Sequence, residues 1–361
     1  TCPRRDRSFS NGERRVQMEV KRLEAEEKES TRAVYAEAFP EDSARARDYY
    51  YETRMRENTV YAIRNGSEVM GMLCLNPCRV RFGDKDWDLS YIVAVATGKK
   101  YRRQGVMRRI LITALLDEYA EKKPFVFLKP ANPDYYTPFQ FAYASKREKR
   151  ILKNDARYHC KRVDTEDDAL LAELSRCANG LLGEKYQCYC LRSPAYLRQI
   201  GGELSAGDGR MLSVWERQDG GERLIGMECF DYADTAERDA RLVLPEKASI
   251  KFCGTEPFIM ARVLSLPDFF AGISLRPEVA AEERELPFSL KDPLIAENNG
   301  VFCLHATKHG SRIERLSAAA KRGREVMELT PEELVSVFFG MKREAWAAEL
   351  TAYRAYFDEE M

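Results

Sequence analysis

YIVAVATGKKYRRQGVMRRILITALLDEYA, residues 91–120, holds the reading that decides the fold. Its first five residues, Tyr91 to Val95, are apolar and largely β-branched, the composition of a buried strand. A basic turn punctuated by Gly98 and Gly105 follows. Val106, Ile110, Leu111, Ala114 and Leu115 then recur at the spacing of one helix face. Strand, glycine-bearing basic turn and helix together make a place for a phosphate. The free N–H groups of the first helical turn point at the anion, and the helix dipole adds attraction. Arg102, Arg103, Arg108 and Arg109 set fixed positive charge around that point.

The spacing excludes the usual nucleotide loops. No G-x-x-x-x-G-K-[ST] occurs, and no G-x-G-x-x-G follows a strand. Arg102, Gly105 and Met107 instead form R-x-x-G-x-M. This resembles motif A of the GNAT acetyltransferases, R/Q-x-x-G-x-G/A, whose loop cradles the pyrophosphate of coenzyme A. Met107 departs from the small residue most members carry. A large apolar residue within RRQGVMR (102–108) is similar to one branch, the enhanced-intracellular-survival (Eis) type of amine and aminoglycoside acetyltransferases.

The element order agrees with that resemblance. Val20–Leu23 reads as a strand, Glu26–Phe39 and Ser43–Glu57 as helices, with Ser43 an N-cap. Val60–Ile63 and Val69–Leu75 flank Asn65-Gly66 as a hairpin. Arg79–Phe82, the Tyr91–Val95 strand, its helix, and Lys122–Leu128 follow, an order that resembles the GNAT order β-α-α-β-β-β-α-β with one strand more. Beyond lies YTPFQF, residues 136–141, which resembles the Y-x-x-F-G-F/Y segment closing a GNAT active site, with Gln140 where Gly is usual.

The resemblance implies roles for named residues. Tyr136 is the general acid that protonates the departing thiolate, with Tyr135 its neighbour. Val95, Ala96 and Thr97 lend backbone to the pantetheine arm. Arg103, Gln104, Gly105, Val106, Met107 and Arg108 hold the pyrophosphate, and Ala131 and Asn132 touch the lower pantetheine. In Eis-type proteins the terminal carboxylate enters the active site as general base, which nominates Met361. The plain alternative is a frayed tail with Asp358, Glu359 and Glu360 as solubilising acid. The implied co-substrate is acetyl-CoA, transferred directly to an amine: an aminoglycoside, a polyamine or a lysine.

Composition bounds the rest. At 361 residues the chain is long enough for two or three domains. Lys+Arg and Asp+Glu are 58 each, a formal net charge of zero. That argues against nucleic acid as partner, because no basic excess exists to release counterions. No run reaches the length of a membrane span. Ten Cys are scattered, several inside apolar strand-like runs such as Cys74, Cys229 and Cys303. This fits buried thiols in a reducing cytoplasm. Cys188-x-Cys190 and Cys74-x-x-x-Cys78, with three His in the chain, do not make a metal site.

Residues 1–17 are polar and aperiodic, a leader or expression remnant ahead of Met18. The expected fold class is α+β: a catalytic GNAT domain (18–150), a degenerate GNAT-like domain (151–255) and a sterol-carrier-protein-like domain (256–361). The run KREKR (146–150) reads as a solvated connection. In the second unit, Met211–Arg217 and Arg223–Phe230 flank Asp219-Gly220-Gly221 as a hairpin, and no R/Q-x-x-G-x-G/A recurs. The third opens on apolar Phe258–Leu264. Thr330, Pro331 and Glu333 form a capping box that launches a helix. An amphipathic stretch with Trp346, Leu350, Tyr353 and Phe357 ends it. The resemblance also implies a homo-oligomer, often hexameric. The competing function is lipid or small-molecule binding by the C-terminal domain, with the GNAT repeats as scaffold.

Overall fold

The computed structural model describes residues 18–230, 241–317 and 326–359. The proposed leader and Met361 therefore lie outside the described residues. The architecture is α+β, with mixed sheets and flanking helices. A nine-stranded sheet runs in the order Val20–Arg22, Thr59–Asn65, Glu68–Phe82, Lys85–Thr97, Phe125–Leu128, Met260–Val263, Ala142–Tyr143. Cys188–Cys190 extends it by pairing with the far half of Glu68–Phe82, and Ala355–Tyr356 pairs with Cys188–Cys190.

Period-two alternation gives this sheet two apolar faces. One carries Tyr61, Leu73, Leu75, Ile92, Val126 and Leu128. Helix Val106–Ala120 covers it with Val106, Ile110, Leu111, Ala114 and Leu115, the stripe read from the sequence. The other face carries Cys74, Tyr91, Val93, Phe125 and Phe127. It is covered by helices Arg32–Ala38 and Ala44–Glu52, and by Leu266–Phe270 and Pro331–Phe338 from the chain's last third. Ser43 caps its helix as expected, its side chain accepting from the Ala46 N–H.

Gly71 lets helix Val106–Ala120 sit down on the sheet. A Cβ there would lie 2.7 Å from Val106 Cγ1 and 2.8 Å from the Ala96 carbonyl oxygen. Gly71→Val is expected to overpack this contact and destabilise by about 1–3 kcal/mol, read as a lowered urea midpoint.

Three further sheets follow, one of them the two-stranded pair of Lys146–Leu152 with Ile250–Pro257. Arg241–Val243, Gly221–Phe230, Arg210–Gln218 and Tyr158–Arg162 form a four-stranded antiparallel sheet beside helices Asp168–Lys185 and Pro194–Ala206. The hairpin around Gly220 is present. Gly310–Arg315, Gly300–Thr307, Glu283–Leu290 and Met327–Leu329 form the last sheet. Thr330 and Glu333 make the capping box.

Four expectations change. The strands read at Val69–Leu75 and Arg79–Phe82 are one strand, Glu68–Phe82. Pro77 is tolerated because the strand's outer edge pairs with Thr59 only as far as Leu75, and resumes with Cys190 at Val80. The run at Lys146–Arg150 stays solvent-facing, but it is not a bare connection. It lies in strand Lys146–Leu152, antiparallel to Ile250–Pro257, with Arg147 and Lys149 both on Glu256. The apolar run after Phe258 inserts into the first sheet, between Phe125–Leu128 and Ala142–Tyr143. The final amphipathic stretch forms one short helical turn, Ala345–Ala347, and then a two-residue strand, Ala355–Tyr356, that joins that same sheet. Among the described residues no helix is long and apolar enough to cross a membrane.

Candidate active site

Strand Lys85–Thr97 pairs in parallel with Phe125–Leu128 only at Tyr91↔Phe127. Beyond that point it continues for six residues while its neighbour ends at Leu128, so the two part. A bulge lies at the same level, on the strand's other edge. Met72 pairs with Ala96 and Cys74 with Val93, leaving Ala94 and Val95 opposite Leu73. Ala94 has φ of 50°, a left-handed backbone that tilts the next residues out of the ladder. Val95 and Thr97 are half-buried and Ala96 is buried. Their polar main-chain groups thus border the gap.

The turn that follows is tied down at its start. Gly98 N–H donates to the Met70 carbonyl (3.0 Å) and the Lys99 N–H to Glu37 Oε1 (2.6 Å). Lys100 and the Tyr101 hydroxyl both reach Glu68. Arg102 Nε donates to the Thr97 carbonyl and Gln104 Nε2 to the Lys100 carbonyl, so the Gln104 side chain braces the loop. Arg103 and Gly105 take left-handed φ of 62° and 81°. Gly105 is the residue before helix Val106–Ala120. Arg102 through Gly105 are exposed, as are Arg108 and Arg109, whereas Val106 is buried and Met107 half-buried. The mouth of the helix is therefore open, with its first-turn N–H groups lacking helical acceptors.

Tyr136 sits at the junction of two tight turns and is 6% exposed, against 57% for Tyr135. Its ring meets Phe141 edge-on at 5.9 Å and belongs to the apolar cluster that includes Val106, Ile110, Val95 and Met107. Arg108 lies over the Phe139 ring at 5.7 Å. Burial first, and the charge of Tyr135 second, push the Tyr136 phenol up to about 12. Gln140 has φ of 65°, which is the reason a glycine suits this position. Ala131 is exposed after the end of Phe125–Leu128, and the Asn132 side chain accepts from the Asp134 N–H. The structure thus brings the bulge, the helix mouth and Tyr136 together.

The chain's tail arrives from the opposite face of the sheet. Phe357 stacks on Phe127 at 4.7 Å, and Tyr91 donates to the Glu359 carbonyl at 3.1 Å. Tyr91 and Phe127 are the residues at which the parallel strands last pair. Asp358 and Glu359 are buried, not a solubilising end: both engage the buried Arg192, and Tyr196 donates to Glu359. An ordinary tail frays. This one is held by charge from the second unit.

Sequence reasoning missed Ala94, Arg192 and Arg262. Ala94 carries no local signal. A charged residue inside IMARVL (259–264) is a usable one, because a fully buried arginine needs partners. Among the described residues, no group of three or more His, Cys, Asp or Glu could hold a metal.

Residues 19–144 match the acetyltransferase (GNAT) domain family, and residues 266–355 the sterol carrier protein domain family. No curated protein matches the sequence. The fold as a whole is similar to a conserved protein of Enterococcus faecalis described as a probable N-acyltransferase, with TM-score 0.72 at 14% identity over 93% of this chain and 94% of that one. It is likewise similar to a GCN5-related N-acetyltransferase of Anabaena variabilis, with TM-score 0.69 at 15% identity over 93% and 94%. Eis1 of Mycobacterium abscessus gives TM-score 0.62 at 12% identity over 92% and 93%. The chain carries a GNAT acetyltransferase domain followed by a sterol-carrier-protein domain. It is an enzyme of the acetyltransferase class.

Proposed function

We propose that this protein is an Eis-type N-acetyltransferase that moves the acetyl group of acetyl-CoA directly to an amine. The observation that carries the reading is the open helix mouth at Gly105, set between a bulged strand and a buried phenol in one apolar cluster. The diphosphate is assigned to the main-chain N–H groups from Arg103 to Arg108, with the exposed arginines supplying charge. The pantetheine is assigned to the main chain of Val95, Ala96 and Thr97, and to Ala131 and Asn132.

In this reading the amine nitrogen attacks the acetyl carbonyl carbon, the C–N bond forms and the C–S bond breaks. The Tyr136 hydroxyl gives a proton to the departing thiolate and recovers it from solvent. The ammonium proton goes to a carboxylate carried by the residues beyond Glu359, for which the Met361 α-carboxylate is named. Two residues of extended chain span at most roughly 7 Å, and Glu359 is already at Tyr91. Such a carboxylate is a weak base unless burial raises it or a water relays the proton. The lipid-binding alternative gains no support from the last sheet, whose apolar face is filled by Phe270, Phe288, Phe302 and Phe338.

Thiol release from acetyl-CoA, measured with lysine peptides, polyamines and aminoglycosides, tests the reading. One amine class is expected to release thiol in step with N-acetyl product, and removal of residues 360–361 to slow it by roughly tenfold or more. Acetyl-CoA binding with no amine accepted would defeat the transferase reading. An undiminished rate after the deletion would remove only the terminal base.

A further inference from the structure

Arg262 is an arginine with no exposed surface, placed on strand Met260–Val263 between two strands of the catalytic sheet. Its three donor groups are all committed. Nε donates to the Phe139 carbonyl at 2.8 Å, Nη1 to the Val263 carbonyl at 2.7 Å, and Nη2 to Asp292 Oδ1 at 2.6 Å. Asp292 lies within the sterol-carrier-protein domain and is itself cross-braced. Its carboxylate accepts from the Leu294 and Ile295 N–H groups at 2.9 and 3.0 Å and from Asn298 Nδ2 at 3.0 Å. Asn298 also donates to the Leu264 carbonyl, at the end of Arg262's own strand.

Follow these bonds toward the phenol. The Phe139 N–H donates to the Tyr136 carbonyl at 2.9 Å, and the next residue, Gln140, sits in a left-handed conformation where a side chain is unfavourable. The turn carrying Tyr136 is thus short, locally strained and fastened at Phe139. A buried ion pair is seldom a net source of stability compared with apolar packing. What it does supply is direction: a guanidinium fork accepts one geometry for its acceptors.

We propose that Arg262 is a positioning residue for Tyr136, and that the sterol-carrier-protein domain, through Asp292, sets the place of the acid. The C-terminal domain then works as a brace on the transfer site. This rests on the reading of Tyr136 as general acid, and the test separates the two.

The full chain is compared as wild type, Asp292→Asn, Arg262→Met with Asp292→Asn, Tyr136→Phe, and the combination of all three changes. Removing the charge pair together leaves no buried ion unpaired, so the double variant is expected to fold; circular dichroism and thermal melting check it. Its kcat is expected to fall roughly 10- to 100-fold, the scale of an ångström misplacement. The KM for acetyl-CoA should stay within about twofold, since the helix mouth is untouched. In the Tyr136→Phe background the same pair of changes is expected to cost almost nothing further, because an absent hydroxyl cannot be misplaced. A folded double variant with wild-type kcat, or an equal fold-loss in both backgrounds, overturns the proposal. Should the double variant not fold, Arg262→Lys, which keeps a charge on Asp292 but lacks the fork that reaches the Phe139 carbonyl, carries the same comparison, and wild-type kcat there overturns it. A Tyr136→Phe protein at wild-type rate defeats the acid reading itself, a result seen without any change at Arg262.

Discussion

Tyr136→Phe lowers kcat by roughly 10²–10⁴-fold, the range a positioned general acid supplies. The substitution removes one hydroxyl and keeps the ring that packs edge-on against Phe141. Folding and acetyl-CoA affinity are therefore expected to be unchanged, and the loss to fall on kcat. The direction of the phenol's shift fits a donor. Burial raises it to about 12, so the group stays protonated throughout ordinary assay conditions. The same shift means it does not give its proton up in the ground state. It becomes an effective donor only as negative charge collects on sulfur and the proton is drawn across. For the same reason no alkaline fall in rate below about 12 should trace to Tyr136. Steady-state kinetics on the folded variant decides the matter, and a wild-type kcat contradicts the assignment.

Gly105→Asp weakens acetyl-CoA binding by about 10²–10³-fold, from two causes that a pair of variants separates. Gly105 has φ of 81°, and a Cβ there would meet nothing within 4 Å, so no clash is involved. Left-handed backbone costs an ordinary side chain about 1–2 kcal/mol. Asparagine tolerates that conformation, so Gly105→Asn isolates shape from charge. Aspartate adds a negative charge at the mouth where the diphosphate is assigned. At about 5 Å and an effective dielectric near 20 this repulsion is roughly 3 kcal/mol. Calorimetric titration is expected to show Asn losing little and Asp losing most of the affinity. Equal losses for the two would assign the effect to backbone strain and remove the diphosphate from this site.

Much of this was legible in the primary sequence where the physics is local. The helix stripe from Val106 to Leu115, the Ser43 and Thr330 caps, and the Gly220 hairpin depend on neighbours a few residues away, and all are present. The basic turn with its glycine was readable because a left-handed helix entry favours that residue. What escaped depends on distant partners. Lys146–Leu152 opens with five charged residues and becomes a strand only because Ile250–Pro257 lies beside it. Arg262 within Met260–Val263 calls for buried partners, but nothing in the strand's composition names the sheet it joins. The bulge at Ala94 arises from a mismatch in register with Met72 and Cys74, which alanine does not announce. Asp358 and Glu359 look like a soluble end until Arg192, more than 160 residues earlier, is seen to hold them. In each case a non-local contact overrides the local pattern.

A crystal structure of the protein with coenzyme A tests the central claim most directly. The account predicts the diphosphate on the main-chain N–H groups between Arg103 and Arg108, the pantetheine along Val95 to Thr97, and the sulfur beside the Tyr136 hydroxyl. A cofactor bound elsewhere, with that helix mouth filled by the protein's own side chains, would contradict it.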